Sequence, residues 1–195
     1  MTTQAERRAA TRAKIIAAAR THFADAGFEN THTGAILAAA GVSRGAMYHH
    51  FESKRELFEA VFIVVSEETI ARSLNNRVEA GSPLEELVEA CLAWLRFARE
   101  PEVTAILLDE GPQVLGWKRA RDLEEQSSLG FMKRGLERAV AAGELRADSI
   151  DLMARLVNAL VAEIALSAIH ADPAPTIAEQ EAILRRFLAG LRAAE

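Results

Sequence analysis

The sequence predicts an all-α protein of about nine helices, with a small N-terminal domain and a larger helical body. Alanine and leucine dominate its 195 residues, which include only 11 glycines and 5 prolines, and such a composition favours helices. Apolar side chains recur at helical spacing, and no stretch shows the alternation typical of strands. Serine, threonine and glycine stand where helices would begin and end. We expect the two domains to cover residues 1–52 and 53–195.

Three helices, the last two short, are expected in the first domain. The first covers about residues 6–26, since its apolar residues share one face, and Gly27 follows its end. The second covers about residues 31–40 and stops at Gly41. Ser43 is a natural N-cap for a third helix of about seven residues. The sequence therefore predicts two short helices around a tight turn.

Capping signals also define the helices of the second domain. Ser53-x-x-Glu56 is a capping box that opens a long fourth helix. Ser82-Pro83 opens a fifth helix that ends near Pro101, and the stretch "DEGPQVLGW" is expected to break the next one. The helices that follow are predicted at residues 117–142, 148–170 and 176–194.

The charge is divided unequally along the chain, although its net value is −5. Residues 1–58 hold eight Lys/Arg and five Asp/Glu, a balance of +3, and the remainder holds 15 and 23, a balance of −8. A basic end on an acidic body indicates that the first part meets a polyanion. No apolar run resembles a secretion signal or a membrane span, so no membrane partner is expected. The single Cys91 cannot form an internal disulfide, which favours the cytoplasm.

The stretch "VSRGAMYHHF", residues 42–51, concentrates side chains that bind anions in one short helix. A metal site on His49 and His50 is excluded, because adjacent helical residues point about 100° apart and metal-binding helical pairs stand four apart. No nucleophile or orienting carboxylate stands at a useful spacing. The sequence therefore predicts no catalytic residue, no metal and no cofactor, and a protein that is not an enzyme.

A helix laid against nucleic acid accounts for more of this stretch, as the second helix of a helix-turn-helix. Arg44 suits a bidentate contact with guanine, and Gly45 lets the backbone come close. Ser43, Tyr48 and His49 carry donors for phosphate oxygens. The early arginines are expected to form a solvated face, with an arm in the minor groove as the alternative: Arg7, Arg8 and Arg12.

The stretch "GFENTHTGAILAAAGVSRGAMYHHFESKRELFEAV" resembles the DNA-binding domain of the TetR family of bacterial transcriptional regulators. The match covers about residues 9–62, with a departure at His32-Thr33, where many members have a small hydroxyl residue and then an apolar one. The resemblance implies an all-helical dimer whose body binds a ligand. It also implies phosphate contacts from Thr33, Ser43, Tyr48, His49 and Lys54, and base contacts from Arg44, Gly45 and Ala46.

Two helices of the body are apolar on more than one face, which requires burial on more than one face. One face would meet the core of its own subunit and the other a partner, so a homodimer is predicted. The dimer interface is expected at Leu156, Leu160, Ile164, Leu184, Phe187, Leu188 and Leu191. The ligand-binding residues, mostly soft or aromatic, are expected to be Cys91, Trp94, Phe97, Trp117, Phe131, Asn158 and Glu163.

The sequence thus predicts a ligand-responsive regulator, a repressor that binds a palindromic operator in double-stranded DNA as a dimer. A small, hydrophobic effector would release it. The alternatives are an activator, a regulator controlled by a protein partner, and a helical carrier or enzyme with a vestigial head. Because a ligand weakens DNA binding only by preferring another conformation, the fourth helix, which joins head and body, is expected to act as the lever.

Overall fold

The computed structural model describes residues 3–76 and 81–191, and the regular elements in these ranges are all helices. In chain order they are α1 (Gln4–Asn30), α2 (Thr33–Ala40), α3 (Arg44–His50), α4 (Lys54–Asn75), α5 (Pro83–Phe97), α6 (Pro101–Val103), the π-helix π1 (Thr104–Glu110), α7 (Gly111–Leu115), α8 (Trp117–Glu124), the π-helix π2 (Glu125–Leu129), α9 (Gly130–Ala141), α10 (Ile150–His170) and α11 (Ile177–Ala189). The elements α6, π1 and α7 follow one another without a gap, as do α8, π2 and α9. The described residues therefore form nine helical segments, the predicted number.

Local capping signals place several helix ends where the sequence predicts them. Ser43 Oγ accepts a hydrogen bond from Ala46 N at 3.2 Å and so begins α3. Gly41 ends α2 with a φ of 65°, a left-handed conformation that favours glycine. A complete capping box between Thr176 and Glu179 begins α11. These bonds satisfy backbone groups that the end of a helix leaves without a partner.

Ser53 and Ser82 cap α4 and α5 as predicted, with Ser82 Oγ accepting from Glu85 N at 3.4 Å, and both caps also involve partners that were not predicted. Ser53 Oγ accepts from Glu56 N at 3.1 Å, but the Glu56 carboxylate accepts from Glu52 N instead of closing the box on Ser53. Ser82 Oγ donates to Glu144 at 2.8 Å, so an acid from a distant part of the chain lies at the start of α5. A carboxylate at this position also suits the positive end of the helix dipole.

The predicted break in "DEGPQVLGW" lies at Gly116 (φ 79°), near the end of that stretch, whereas residues 101–115, which include Gly111-Pro112, are helical throughout. Pro112 stands in the first turn of α7, where its missing N–H costs little. Gly111 is buried, and a Cβ there would lie 2.6 Å from Phe62 Cε2 and 2.9 Å from Ile106 O. The space at position 111 therefore admits only a glycine, and the helix continues through it although a glycine followed by a proline commonly ends a helix.

The chain divides into two compact units. The first unit contains the residues up to Ser66 together with Pro101–Arg121, and the second contains Glu67–Glu100 and the residues from Asp122 onward. The long helix α4 starts in the first unit and continues past Ser66 into the second. The functional boundary predicted between residues 52 and 53 stays a prediction.

The core of each unit is largely aliphatic, with a cluster of phenylalanines in the first. The rings of Phe23, Phe28 and Phe58 lie 5.2–5.8 Å apart, which joins α1 to α4. In the second unit, α5 buries eight residues, from Leu84 to Leu95, against α9, α10 and α11. Both units therefore have a hydrophobic core of their own.

The helix α10 differs from the expectation that no segment could span a membrane. Its 21 residues have a mean hydropathy of 1.7 in the most apolar window, enough by length and composition to cross a bilayer. The core helices of helical proteins pass the same test. Asp151, Arg155 and Glu163 on this helix are exposed, and Ala154 and Val157 are buried within the protein.

Candidate nucleic-acid interface

The helix α3 has one buried face and one exposed face. Met47 is fully buried and Phe51, which follows the helix, is 1% exposed, so these two side chains fix the helix to the core of the first unit. Arg44, Tyr48 and His49 are exposed on the other side. Amphipathic packing therefore presents to solvent the residues that were predicted to meet DNA.

On the exposed face of α3, one side-chain contact and one open space stand out. The Arg44 guanidinium lies over the Tyr48 ring, with Cζ 5.6 Å from the ring centroid, a distance typical of a cation–π contact. Gly45 is exposed, and a Cβ built on it meets no atom within 4 Å. The structure therefore leaves room for a backbone approach at Gly45.

The start of α2 offers further donors. His32 precedes the helix without a side-chain cap, and Thr33 at its first position is half-buried. The first backbone N–H groups of a helix without a cap are suited to anions such as phosphate. Thr31 next to them is buried, with Oγ1 2.9 Å from His22 O and 2.7 Å from Gly27 O, and therefore has a structural role.

Lys54, predicted to contact phosphate, uses most of its ammonium group within the protein. Its Nζ donates to Phe28 O at 2.7 Å and to Thr31 O at 3.1 Å, and it lies 4.2 Å from the Phe28 ring centroid. An ammonium has three N–H donors, so one is left for a phosphate. The sequence-based prediction missed this role, because the two carbonyls lie more than 20 residues earlier in the chain.

The early arginines, predicted as a solvated face, border α3. An open groove of about 860 Å³ lies between the N-terminal part of α1 and α3. Arg7 and Arg8 line it from α1, and Ala46, His49 and His50 line it from α3. The Arg12 guanidinium lies 5.1 Å from the Phe51 ring centroid, which holds this part of α1 against the end of α3. The groove therefore extends the cationic surface of α3.

The two histidines at the end of α3 lie side by side, with ring centroids 5.6 Å apart. Partial burial lowers the pKa of His50 from its ordinary value, and the nearby charges of His49, Arg8 and Arg12 lower it further. A proton on His50 is thus disfavoured by the cations around it. Phosphate groups placed in the groove would relieve this repulsion.

A further segment supports the head from within the first unit. Arg20 forms a two-bond ion pair with Glu102, with both N···O distances at 2.6 Å. Glu110, the last residue of π1, accepts from Phe28 N at 3.2 Å. Arg55 donates to Leu115 O at 2.7 Å. Residues 101–115 are therefore bonded to both α1 and α4.

The residues predicted to bind a ligand have varied positions. Cys91 is buried with Sγ 4.0 Å from Met132 Sδ, and burial raises the pKa of the Cys91 thiol to about 12. Asn158 is half-buried and bonded to Ser128 Oγ at 2.8 Å, at the end of π2. These residues, in the second unit, are held by contacts within the protein. The aromatic residues Trp94, Phe97 and Phe131 are half-buried.

Two of the predicted ligand residues lie at the surface. Trp117 belongs to the first unit and is 64% exposed, and Glu163 is exposed on α10, so neither lies in the interior of its unit. The Arg72 guanidinium covers the face of the Phe97 ring, with Cζ 4.0 Å from the ring centroid. The same guanidinium donates two hydrogen bonds to Glu100, at 2.8 and 2.5 Å. This bonding lowers the pKa of Glu100.

A small cavity of about 10 Å³ lies between α5 and α11, and its lining includes Leu92, Leu95 and Ile177. That volume suits about one water molecule. None of the predicted ligand residues line this cavity.

The residues predicted for the dimer interface fall into two groups. Leu156 and Phe187 are 56% and 43% exposed, and Leu160 and Leu191 are half-buried. Three others are buried within their own subunit and are not available to a partner, which corrects the prediction: Ile164, Leu184 and Leu188. Their place on the exposed apolar surface is taken by Leu152 and Ile183, 58% and 54% exposed. Each of these two residues stands four positions before a predicted residue, Leu156 or Phe187, so helical spacing indicates them; the prediction left them out because both helices are apolar on several faces.

Comparison with known families agrees with this geometry. Residues 15–61 match the family model described as bacterial regulatory proteins, tetR family. Residues 84–191 match a model described as tetracyclin repressor-like, C-terminal domain. The first match includes α2 and α3, and the second covers more than half of the chain.

Two individual relatives are also described as HTH-type transcriptional regulators. The HTH-type transcriptional regulator UidR of Escherichia coli strain K12 is 26% identical over 187 residues, which are 94% of this chain and 90% of UidR. CymR of Pseudomonas putida, another HTH-type transcriptional regulator, is 38% identical over 90 residues, which are 46% of this chain and 44% of CymR.

Solved structures with the same fold cover nearly the whole chain. A TetR-family transcriptional regulator from Pectobacterium atrosepticum is 29% identical, with a TM-score of 0.84 over 99% of both chains. RolR in complex with its ligand resorcinol is 18% identical, with a TM-score of 0.77 over 98% of this chain and 92% of RolR.

Proposed function

Because this chain belongs to the TetR family of bacterial transcriptional regulators, we propose that it is a repressor that binds a palindromic operator as a homodimer. A small, hydrophobic effector releases the operator. The observation that carries the proposal is the exposed face of α3, where Arg44, Tyr48 and His49 stand opposite the buried Met47. The regulator acts in the cytoplasm, where it has access to bacterial DNA.

On this proposal α3 enters the major groove and reads bases through its first residues. Arg44 donates two hydrogen bonds to a guanine, and Gly45 and Ala46 allow the backbone to approach the base edges. Ser43 supports this role because its oxygen already accepts from Ala46 N and its hydroxyl proton is still available for a phosphate. Tyr48 and His49 donate to phosphates beside it.

Further phosphate contacts flank α3. Thr33 and the N–H groups at the start of α2 meet one backbone strand, and Lys54 supplies its remaining N–H. Arg7 and Arg8 add a cationic edge along the groove beside α3, which supports a role for them as an arm. These contacts position the protein without specifying sequence.

The dimer forms through the exposed apolar faces of α10 and α11. Leu152, Leu156, Ile183 and Phe187 are all more than 40% exposed in the single chain, and burying them against a second copy is favourable. A two-fold axis between the subunits also places two copies of α3 for two half-sites about one helical turn apart.

The effector acts on the second unit and changes the spacing of the two reading helices. Cys91, Phe131, Met132 and Asn158 are candidates for its pocket, and the fold of RolR, whose ligand is resorcinol, supports a small aromatic class. The helix α4 is the proposed lever, since it continues from the first unit into the second. A coupling of about 1–3 kcal/mol would change operator affinity about 5–150-fold.

The test is a selection of bound sequences from random duplex DNA with the full-length protein and Arg44→Ala in parallel. Arg146→Ala is the matched control, because Arg146 is an exposed arginine outside the head. The wild type and the control should enrich the same palindrome. Arg44→Ala should relax the preference at one symmetric pair of positions, at a cost of about 1–3 kcal/mol per base contact.

Two results would contradict the proposal. If the wild type enriches no sequence, the protein has no specific operator. If Arg44→Ala retains every base preference, Arg44 does not read a base. A salt titration adds a check on the contact surface, because counterion release makes operator affinity fall steeply as salt rises. Flat binding over that range would argue for a carrier with a vestigial head.

A further inference from the structure

The charged side chains of α10 and α11 are almost all used within the subunit. Asp151 is paired with Lys133, and Arg155 is paired with Glu125. Arg185 is bonded to Glu85, Glu89 and Glu181, and Glu179 caps its own helix at Thr176. Within the described part of the chain, histidine aside, these two helices leave one acid and one base without such a bond, namely Glu163 and Arg186.

Both of these charges are exposed on helices whose exposed apolar side chains the proposed dimer would bury. Glu163 is exposed on α10, on the helix that also exposes Leu156. Arg186 is exposed on α11 between Ile183 and Phe187. Covering these surfaces with a second copy removes water from both charges, and a desolvated charge without a partner is strongly destabilising. A dimer of this kind therefore requires an opposite charge facing each of them.

The register of α11 against α10 indicates which charge of a second copy could be that partner. Gln180 Nε2 donates to Ile164 O at 3.1 Å, which sets the level of α11 against α10. Helices joined by a short connection commonly pack as antiparallel neighbours, and in that arrangement residues further along α11 lie at earlier levels of α10. Arg186, six residues after Gln180, therefore lies about level with residue 158. If the two-fold axis of the proposed dimer crosses α10 near Leu160, the middle of that helix, Arg186 of one subunit lies level with residue 163 of the other.

We propose that Glu163 forms an ion pair with Arg186 of the partner subunit, twice in each dimer, and that the pair selects a second copy of this chain. The inference rests on the proposed homodimer and specifies its register. In a two-fold interface, a contact from one residue to another is repeated in the reverse direction, so one acid and one base per subunit make the surface complementary to itself. The pair also favours this chain over related subunits, since charges across an interface contribute more to specificity than to affinity.

The test exchanges the charges in the full-length protein. Glu163→Arg gives a subunit with two bases at these positions, and Arg186→Glu gives one with two acids. The controls are Glu137→Arg and Arg146→Glu, which make the same charge changes at exposed positions outside α10 and α11. The dimer dissociation constant of each variant, and of an equimolar mixture of the first two, is measured by sedimentation.

Each single reversal should raise the dimer dissociation constant about tenfold or more, because it places like charges together at two sites. The mixture should recover dimers as tight as the wild type, since its mixed dimers restore both pairs, one in reversed and one in wild-type orientation, and the controls should behave as the wild type. Circular dichroism checks that each variant keeps its helices. For a reversal that loses them, a double-mutant cycle with Glu163→Gln and Arg186→Gln gives the coupling of the pair.

Three outcomes are decisive. Single reversals that dimerise as tightly as the wild type would overturn the ion pair while leaving the dimer intact. Weakened reversals whose mixture stays dissociated would also overturn it, because complementary charges would then fail to restore contact. A wild type that remains monomeric at every concentration, alone and on operator DNA, would overturn the homodimer of the proposed function and the pair with it.

Discussion

Lys54→Met removes an ammonium that links the start of α4 to the end of α1. The wild-type Nζ makes two hydrogen bonds to carbonyls, from 2.7 to 3.1 Å long, and lies over the Phe28 ring. Two charge-assisted bonds at about 1.5 kcal/mol each and a cation–π contact of about 0.5 kcal/mol give an upper figure of about 3.5 kcal/mol. The site is half-buried, so water replaces part of the loss, and we expect the free energy of unfolding to fall by about 2 kcal/mol.

The assay is thermal unfolding followed by circular dichroism, with operator binding measured on the same samples. A loss of about 2 kcal/mol lowers the Tm of a chain of this size by about 4–8 °C. Lys14→Met is the matched control, since Lys14 is exposed on α1 and should leave the Tm unchanged. The single N–H left for DNA limits the fall in the salt slope of binding to about one charge. A Tm within a degree or so of the wild type would refute the structural role, because the two carbonyl bonds would then contribute nothing.

Two further predictions concern the cysteine and the histidines. At a pH of about 8, Cys91 of the native protein should resist an aromatic disulfide reagent, because a pKa of about 12 leaves a thiolate fraction on the order of 10⁻⁴. Full labelling is expected only in guanidinium. Rapid labelling of the native protein would show that the thiol is accessible. Operator affinity should rise as the pH falls from about 8 to 6, because phosphates beside His50 would raise its lowered pKa and binding would take up protons. His50→Asn should make this dependence less steep in anisotropy titrations, and an identical pH profile would mean that His50 does not face DNA.

The elements that sequence reasoning predicted well depend on neighbours in the chain. Ser43 caps α3 through a residue three positions away, and Gly41 ends α2 through its own backbone conformation. The helix through Gly111 was missed because its cause is distant: the ring of Phe62 occupies the space of a side chain at that position. The acceptor for Ser82 was missed for the same reason, since Glu144 lies 62 residues away.

The candidate site divides in the same way. The exposure of Arg44 and Tyr48 follows from the four-residue spacing of the apolar Met47, on α3, and Phe51, just after it, and this spacing can be seen in the sequence. The place of Arg7 beside α3 depends on how α1 packs across the head, which no local pattern specifies. The faces of α10 and α11 were assigned in part only, because a helix apolar all round does not say which side meets its own core.

The support of the head by residues 101–121 bears on how such regulators can be recombined. A chimera that joins residues 1–52 of this chain to a foreign body would separate Arg20 from Glu102 and Phe28 N from Glu110. A graft extended through Ser66 would still separate Arg55 from Leu115 O. The residues that build and support the DNA-reading head are thus bonded to one another but lie in two separate stretches of the sequence. To transfer the head with its supporting contacts, a chimera must take both the N-terminal helices and residues 101–121 from this chain.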